Sequence, residues 1–411
     1  MKIELISEHA SPLAALGGAD AGGQNVHVAA LATELGRRGH EVTVCTRRDA
    51  ADLPDQVPLA PGVTVEHVPA GPPRPVPKDE LPGHMTAFAR WLEQRWAIQR
   101  PDLVHAHFWM SGAAAIRAAR RHRVPVVLTY HALGLVKRRH QGLADTSPPE
   151  RIGVEAALAR RVSAIIATCT DEVAELAAYD ARADRVYVVP CGVDVAHFHP
   201  GGPGQPAGPD GRPGCVVTLG RLVPRKGVDT MIAALAGVPD AELVVAGGPP
   251  QAQLDDEPEV WRLRKVAAET GVASRVTFTG RVAHEDVPAL LRSADVIVSV
   301  PSYEPFGIVP LEAMACGVPI VASAVGGHLD TVADGVTGLL TPPGDPQALA
   351  QRLRVLLDHP ARRRGLGAAG VARVRTRYTW AQVAAETEAV YTAVRSARPA
   401  ATVGQLGGQP W

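Results

Sequence analysis

Twice along this 411-residue chain, apolar runs alternate with glycine-bearing loops and amphipathic helices, and between the two series lies a stretch that can build neither element. That stretch is residues 201–214, GGPGQPAGPDGRPG, where glycine and proline are too dense for helix or strand. It reads as a linker or exposed loop between residues 1–200 and 215–379. Residues 380–396 form a last amphipathic helix that could cross back to the first domain, and 397–411 a frayed tail. Repeated β-α alternation in each half predicts a parallel sheet with helices on both faces. The expected fold class is therefore α/β, two Rossmann-like doubly wound domains facing one another across a cleft.

In the first half, Lys2–Ser7 reads as a strand, Gly17–Gly23 as a glycine-rich loop, Gln24–Arg38 as a helix and Glu41–Thr46 as the next strand. The loop amides would point at an anion. No G-x-G-x-x-G lies there, and the one literal match, Gly365–Gly370, has no strand before it and is a chance match. Segment 50–85 looks irregular apart from a strand at Val63–Val68 and holds Lys78; Met85–Gln99 then reads as a helix. Further strands are predicted at 101–107, 124–130, 164–168 and 186–189. In the second half they fall at 215–219, 243–246, 276–279, 296–300 and 320–322. Gly338, in DGVTGLL, reads as a turn glycine.

Composition excludes several classes. Forty-two basic residues balance 42 acidic ones, so no net field favours nucleic acid or an acidic membrane. Five scattered cysteines form no C-x-x-C pair, which fits a reducing cytoplasm rather than a disulfide framework or structural zinc. The opening MKIELIS reads as a strand rather than a leader, and no run is long enough to span a membrane. The abundance of alanine, glycine, proline and arginine suggests a GC-rich, actinobacterial source. Either a monomer or a homodimer fits these features.

The chemistry gathers in Pro301–Gly317, PSYEPFGIVPLEAMACG. Glu304 is expected on the loop leaving a buried strand, and Glu312 one turn into the following helix. In an open α/β sheet that crevice binds ligands. A carboxylate accepts two hydrogen bonds at once, so a vicinal diol suits it. The amides of Phe306, Gly307 and Ile308 would face the same ligand. Two glutamates alone would more often be surface acids. Arg221 and Lys226, in GRLVPRKG, leave another strand end and could both reach a diphosphate; as isolated loop residues they would be solvated charges. His131 is expected at a strand's carboxyl end, as a ligand contact or a packed core group. His105 and His107 share a strand face, but no third ligand of suitable spacing makes them a zinc site.

The segment around Glu304 and Glu312 closely resembles the donor-binding motif of retaining GT-B glycosyltransferases of family 4. GGQNVHV, KDELP, HAHFWMSG and YHALGLVK are similar to mycothiol-pathway N-acetylglucosaminyl-inositol-phosphate transferases and to sucrose-phosphate synthases. The resemblance implies that Glu312 grips the nucleotide ribose and Glu304 the transferred sugar. It implies that Arg221 and Lys226 neutralise the leaving diphosphate in place of a metal ion, and no usable D-x-D is present. Gly23, Phe306, Gly307, Ile308 and the backbone around Arg281 would complete the donor site, and His131 would contact the donor sugar. Acceptor contacts are implied at Asn25, Lys78, Phe108, Ala132, Lys137 and Arg151. Phe108 and Ala132 stand where the inositol-phosphate enzymes carry a tyrosine and a threonine, so two hydroxyl donors are missing.

The expected activity is thus metal-independent transfer of N-acetylglucosamine or glucose from a UDP-sugar to a cyclitol, aminocyclitol or sugar phosphate, without a cofactor. A nucleotide-sugar epimerase or hydrolase, a phosphorylase carrying pyridoxal phosphate, and a non-catalytic nucleotide-sugar-binding protein are the competing readings.

Overall fold

The structure, a computed structural model, describes residues 1–14, 22–203 and 214–397. Most of the Gly17–Gly23 loop, most of the 201–214 linker and nearly all of the 397–411 tail lie outside the described residues. The first domain contains β1 (Lys2–Ile6), β2 (Glu41–Arg47), β3 (Gln56–Ala60) and β4 (Val63–Val68). It continues with β5 (Leu103–His107), β6 (Val126–Thr129), β7 (Ala164–Ala167) and β8 (Val186–Val188). These form one sheet in the order β3-β4-β2-β1-β5-β6-β7-β8, parallel except for β3. The second domain contains β9 (Gly214–Leu219), β10 (Ala241–Ala246) and β11 (Val276–Gly280). Then follow β12 (Val296–Ser299), β13 (Ile320–Ser323) and β14 (Gly338–Thr341). Their order is β11-β10-β9-β12-β13-β14, with every pairing parallel.

Strands covered on both faces must be apolar along their length, and β6, β7 and β13 are buried at every residue. Two strands escape that logic. β3 falls in the stretch that reads as irregular: it is an antiparallel edge strand whose register shifts between Pro58 and Ala60. Proline is tolerated at such an edge because no ladder donor is needed there. β14 begins at Gly338, which is therefore no turn glycine. A Cβ at Gly338 would stand 2.6 Å from the Ile320 carbonyl oxygen, so close packing on β13 demands the bare backbone.

The strand orders place the ligand crevices. Each sheet reverses its winding direction beside its first strand, between β1 and β5 in one domain and between β9 and β12 in the other. Loops leaving those strands diverge and open a cleft. The helix Trp380–Ser396 packs on helix Gly23–Arg37 and on β7 of the first domain. The Tyr391 hydroxyl lies 2.7 Å from His105 Nδ1 inside the first domain's core.

Candidate active site

At the switch point of the second sheet, the loop after β9 carries Arg221, Arg225 and Lys226, and the loop after β12 carries Glu304. Gly227 lets the two loops touch: its φ is +71°, and any Cβ would collide with the Val300 carbonyl oxygen. Ser302 N donates to Arg225 O at 2.8 Å, fixing one loop to the other. The Lys226 amine consequently donates to the Glu304 carboxylate, and Arg225 Nη1 lies 3.8 Å from the same oxygen. Burial alone would raise the Glu304 pKa, but Lys226, Arg225 and His328 hold it below the usual carboxylate value.

Glu304 then leads through Phe306 and the N-cap Gly307, at φ +83°, into helix Ile308–Ala315. Glu312 sits one turn in, half-buried, and among the described residues its carboxylate makes no hydrogen bond or ion pair. Desolvation pushes its pKa up to about 7. Opposite stands Gly23, first residue of helix Gly23–Arg37; a Cβ there would come within 3.2 Å of Ile308 Cδ1. Two helix N-termini, one from each domain, thus meet across the cleft, and free amides at such ends favour an anion.

The crevice has three connected or neighbouring hollows. One, of about 770 Å³, is lined by Lys78, Phe108, Ala132, Lys137 and Arg151 from the first domain and by Arg221 and Arg225 from the second. Asp79 is the acid on its wall. A second, of about 270 Å³, holds Glu304 and shares Ala132, His140, Ser302, Tyr303 and Pro305 with the first. The third, of about 910 Å³, is lined by Gly23, Asn25, Ile308 and Glu312. Arg221 thus opens on the first hollow and Glu304 on the second, which shares its wall; Lys226 lines none of the three and is bonded to Glu304, while Glu312 opens on the third, beside the Gly23–Ile308 contact.

Phe108 follows β5 at φ +81° and lines the first hollow, whereas His131 follows β6 at φ +59° and lines none of the three; a positive φ is uncommon for non-glycine residues. Lys78 Nζ lies 3.9 Å from the Phe108 ring centre and the Arg151 guanidinium 5.0 Å from it. Desolvation lowers the pKa of the Lys78 amine to about 8, with Glu8 opposing the shift and Arg151 and Lys137 adding to it, although the residue as a whole is exposed to solvent. His131 Nε2 lies 3.0 Å from His107 Nδ1, and those rings belong to a cluster with His27 and His105. Desolvation lowers all four, His27 to about 4 and His105 to about 3, so the cluster is neutral. His105 is engaged by Tyr391 and by Thr129 Oγ1 at 2.9 Å.

Two expected site residues stand apart from the groups named with them. Asn25 spends its amide on backbone, accepting from Gly22 N at 3.0 Å and donating to Ser11 O at 2.9 Å; it lines the Glu312 hollow rather than the one holding Lys78. Arg281, an exposed residue, follows β11, and among the described residues only its backbone N–H is engaged, by Pro249 O at 2.9 Å. Sequence reasoning passed over Arg225, Tyr303 and His328. Arg225 and Tyr303 were visible as neighbours of Lys226 and Glu304. His328 lies 24 residues beyond Glu304 and arrives beside Gly307 only through the packing of its helix.

Two doubly wound domains facing across a cleft, with a basic and an acidic loop side by side at one switch point, have the architecture of a glycosyltransferase of the GT-B fold. Comparison with known proteins agrees. Residues 21–197 match the family model described as Glycosyltransferase Family 4, and residues 205–373 the model described as Glycosyl transferases group 1. The chain is 41% identical to a D-inositol 3-phosphate glycosyltransferase of Acidothermus cellulolyticus, over 87% of this chain and 83% of that one. It is 38% identical to the protein of that name from Streptomyces scabiei, over 95% and 91%. Among solved structures, sucrose-phosphate synthase of Thermosynechococcus elongatus superposes with a TM-score of 0.85 at 32% identity, covering 96% of this chain and 98% of that one. The chain belongs to glycosyltransferase family 4. Among the described residues no helix is long and apolar enough to cross a membrane.

Proposed function

We propose that this enzyme is a retaining, metal-independent transferase that moves N-acetylglucosamine or glucose from a UDP-sugar to a phosphorylated cyclitol or sugar. The observation that carries the reading is the 770 Å³ hollow beside Glu304: Lys137 and Arg151 on its wall are paired with Asp145 and Glu155 behind it, which leaves Lys78, Arg221 and Arg225 against the one lining acid, Asp79. A wall of that sign favours an anionic acceptor and disfavours a cationic aminocyclitol. The names of the relatives, inositol 3-phosphate glycosyltransferases and a sucrose-phosphate synthase, point the same way.

In this reading the ribose lies on Glu312, the diphosphate at the Gly23–Ile308 neck against Arg221 and Lys226, and the sugar on Glu304 and His131. The bond from anomeric carbon to diphosphate oxygen breaks, and its electron pair leaves with UDP. The acceptor hydroxyl oxygen bonds the same face of that carbon, and its proton passes to a phosphate oxygen. Fixed cations stabilise charge where it develops. Neutral His131 offers a hydrogen bond without adding a charge beside the sugar.

The test is a matrix of UDP-N-acetylglucosamine and UDP-glucose against inositol phosphate, a hexose phosphate and their dephosphorylated forms, with product configuration read by NMR. Transfer to the phosphorylated acceptors with retained configuration supports the reading. Equal transfer to neutral acceptors, or inverted product, overturns it.

A further inference from the structure

The five cations around the acceptor hollow are not equally free. Arg151 spends every nitrogen inward: Nε donates to Glu155 at 2.7 Å, Nη1 to Ser147 at 3.1 Å and Nη2 to Ala132 O at 2.7 Å. Lys137 is held by Asp145 and Ser147, each at 2.9 Å. The side chains of Phe108 and Ala132 offer no polar hydrogen. On the first domain's side only the Lys78 amine is uncommitted: among the described residues it makes no hydrogen bond or ion pair.

Arg225 answers from the second domain. Its Nη1 is buried 3.8 Å from Glu304 and within hydrogen-bond reach of no protein acceptor among the described residues, an arrangement that costs stability unless water or a ligand satisfies it. The guanidinium is held in place, 5.2 Å from the Tyr303 ring centre, with Glu304 beside it. Tyr303 is itself gripped by the first domain, stacking on His140 at 4.7 Å and accepting from Gln141 Nε2 at 3.1 Å. Arg225 therefore stands at the seam where the two domains touch, on the same hollow as Lys78.

We propose that Arg225 is a specificity-determining residue that, with Lys78, clamps the anionic group of the acceptor from the opposite side of the cleft. The inference rests on the phosphorylated-acceptor reading and adds what reads the charge: a guanidinium of the donor domain rather than hydroxyls of the acceptor domain. Acceptor binding then also ties the two domains together.

The experiment compares wild type, Arg225→Leu and Arg225→Lys on a phosphorylated acceptor and its neutral counterpart, with UDP affinity measured by calorimetry. A charge-assisted hydrogen bond of this kind predicts a loss of about 10- to 100-fold in the preference for the phosphorylated acceptor in Arg225→Leu, mostly through KM. Arg225→Lys keeps part of it, and UDP Kd stays within about threefold. An unchanged preference, or equal losses on both acceptors together with weakened UDP binding, overturns the proposal and makes Arg225 a donor-side cation. A wild-type enzyme without any preference for the phosphorylated acceptor sinks the functional reading instead. Should Arg225→Leu fail to fold, competition by inorganic phosphate against the acceptor in wild type and Arg225→Lys decides: weaker competition in the variant supports the clamp, equal competition refutes it.

Discussion

Lys226 and Glu304 are bonded to one another, although 78 residues separate them and each leaves a different strand of the second sheet. The pair sits where the sheet reverses its winding, and it keeps Glu304 ionised in a desolvated place. Removing either member should act on chemistry before fold. Lys226→Ala and Glu304→Ala are expected to lower kcat by about 10²- to 10³-fold, the range for losing one preorganised electrostatic contact. Near-normal turnover in either, with circular dichroism unchanged, would refute the assignment.

In the proposed donor site, Glu312 sets the acid limb of the pH profile. Its folded pKa of about 7 means the carboxylate is largely protonated below that pH and ionised above it. Only the ionised form accepts two ribose hydroxyls. UDP binding should therefore tighten as pH rises through about 7, and Glu312→Gln should flatten the profile. Isothermal titration of UDP between pH 6 and 8 reads this directly.

In the proposed acceptor site, Lys78 sets the opposite limb. With its pKa lowered to about 8, the amine is charged below that pH and neutral above. A phosphate monoester is fully ionised only above about 6. The acceptor KM should be lowest between those values and rise above pH 8, and Lys78→Ala should remove that rise while increasing KM throughout. A flat KM through pH 9 in wild type contradicts it.

Metal dependence offers a simple check. With Arg221 and Lys226 supplying the positive charge, turnover in excess EDTA should match that in added magnesium. Full loss in EDTA, restored by a divalent cation, would mean that the cations at these loops do not suffice.

Stability should depend on the last helix. Tyr391→Phe leaves His105 Nδ1 without its partner in a dry core. The expected cost is about 1–3 kcal/mol, or a Tm lowered by roughly 2–10 °C. An unchanged melting curve would show that the contact contributes nothing net.

Much of this was legible before any coordinates. The glutamate pair, the Arg221–Lys226 loop and the histidine after β6 were readable because each lies at the end of an apolar run, and strand ends are where a parallel sheet binds ligands. Arg225 was passed over because a basic residue between proline and lysine looks like any solvated loop charge. β3 and β14 were missed since one is an edge strand with a proline and the other begins with a glycine, so neither shows the unbroken apolar pattern of a buried strand.

Sequence alone determined the two doubly wound halves, because alternation of apolar runs and amphipathic helices is a local property that burial imposes residue by residue. It also singled out the side chains proposed here to serve a nucleotide sugar. Only the tertiary structure decided which cations keep a hydrogen-bond donor unspent. Arg151 and Lys137 are neutralised by Glu155 and Asp145, whereas Lys78 and Arg225 face each other's side of a single hollow. Pairing of charges depends on distances between segments far apart in the chain, and no periodicity in one segment encodes them.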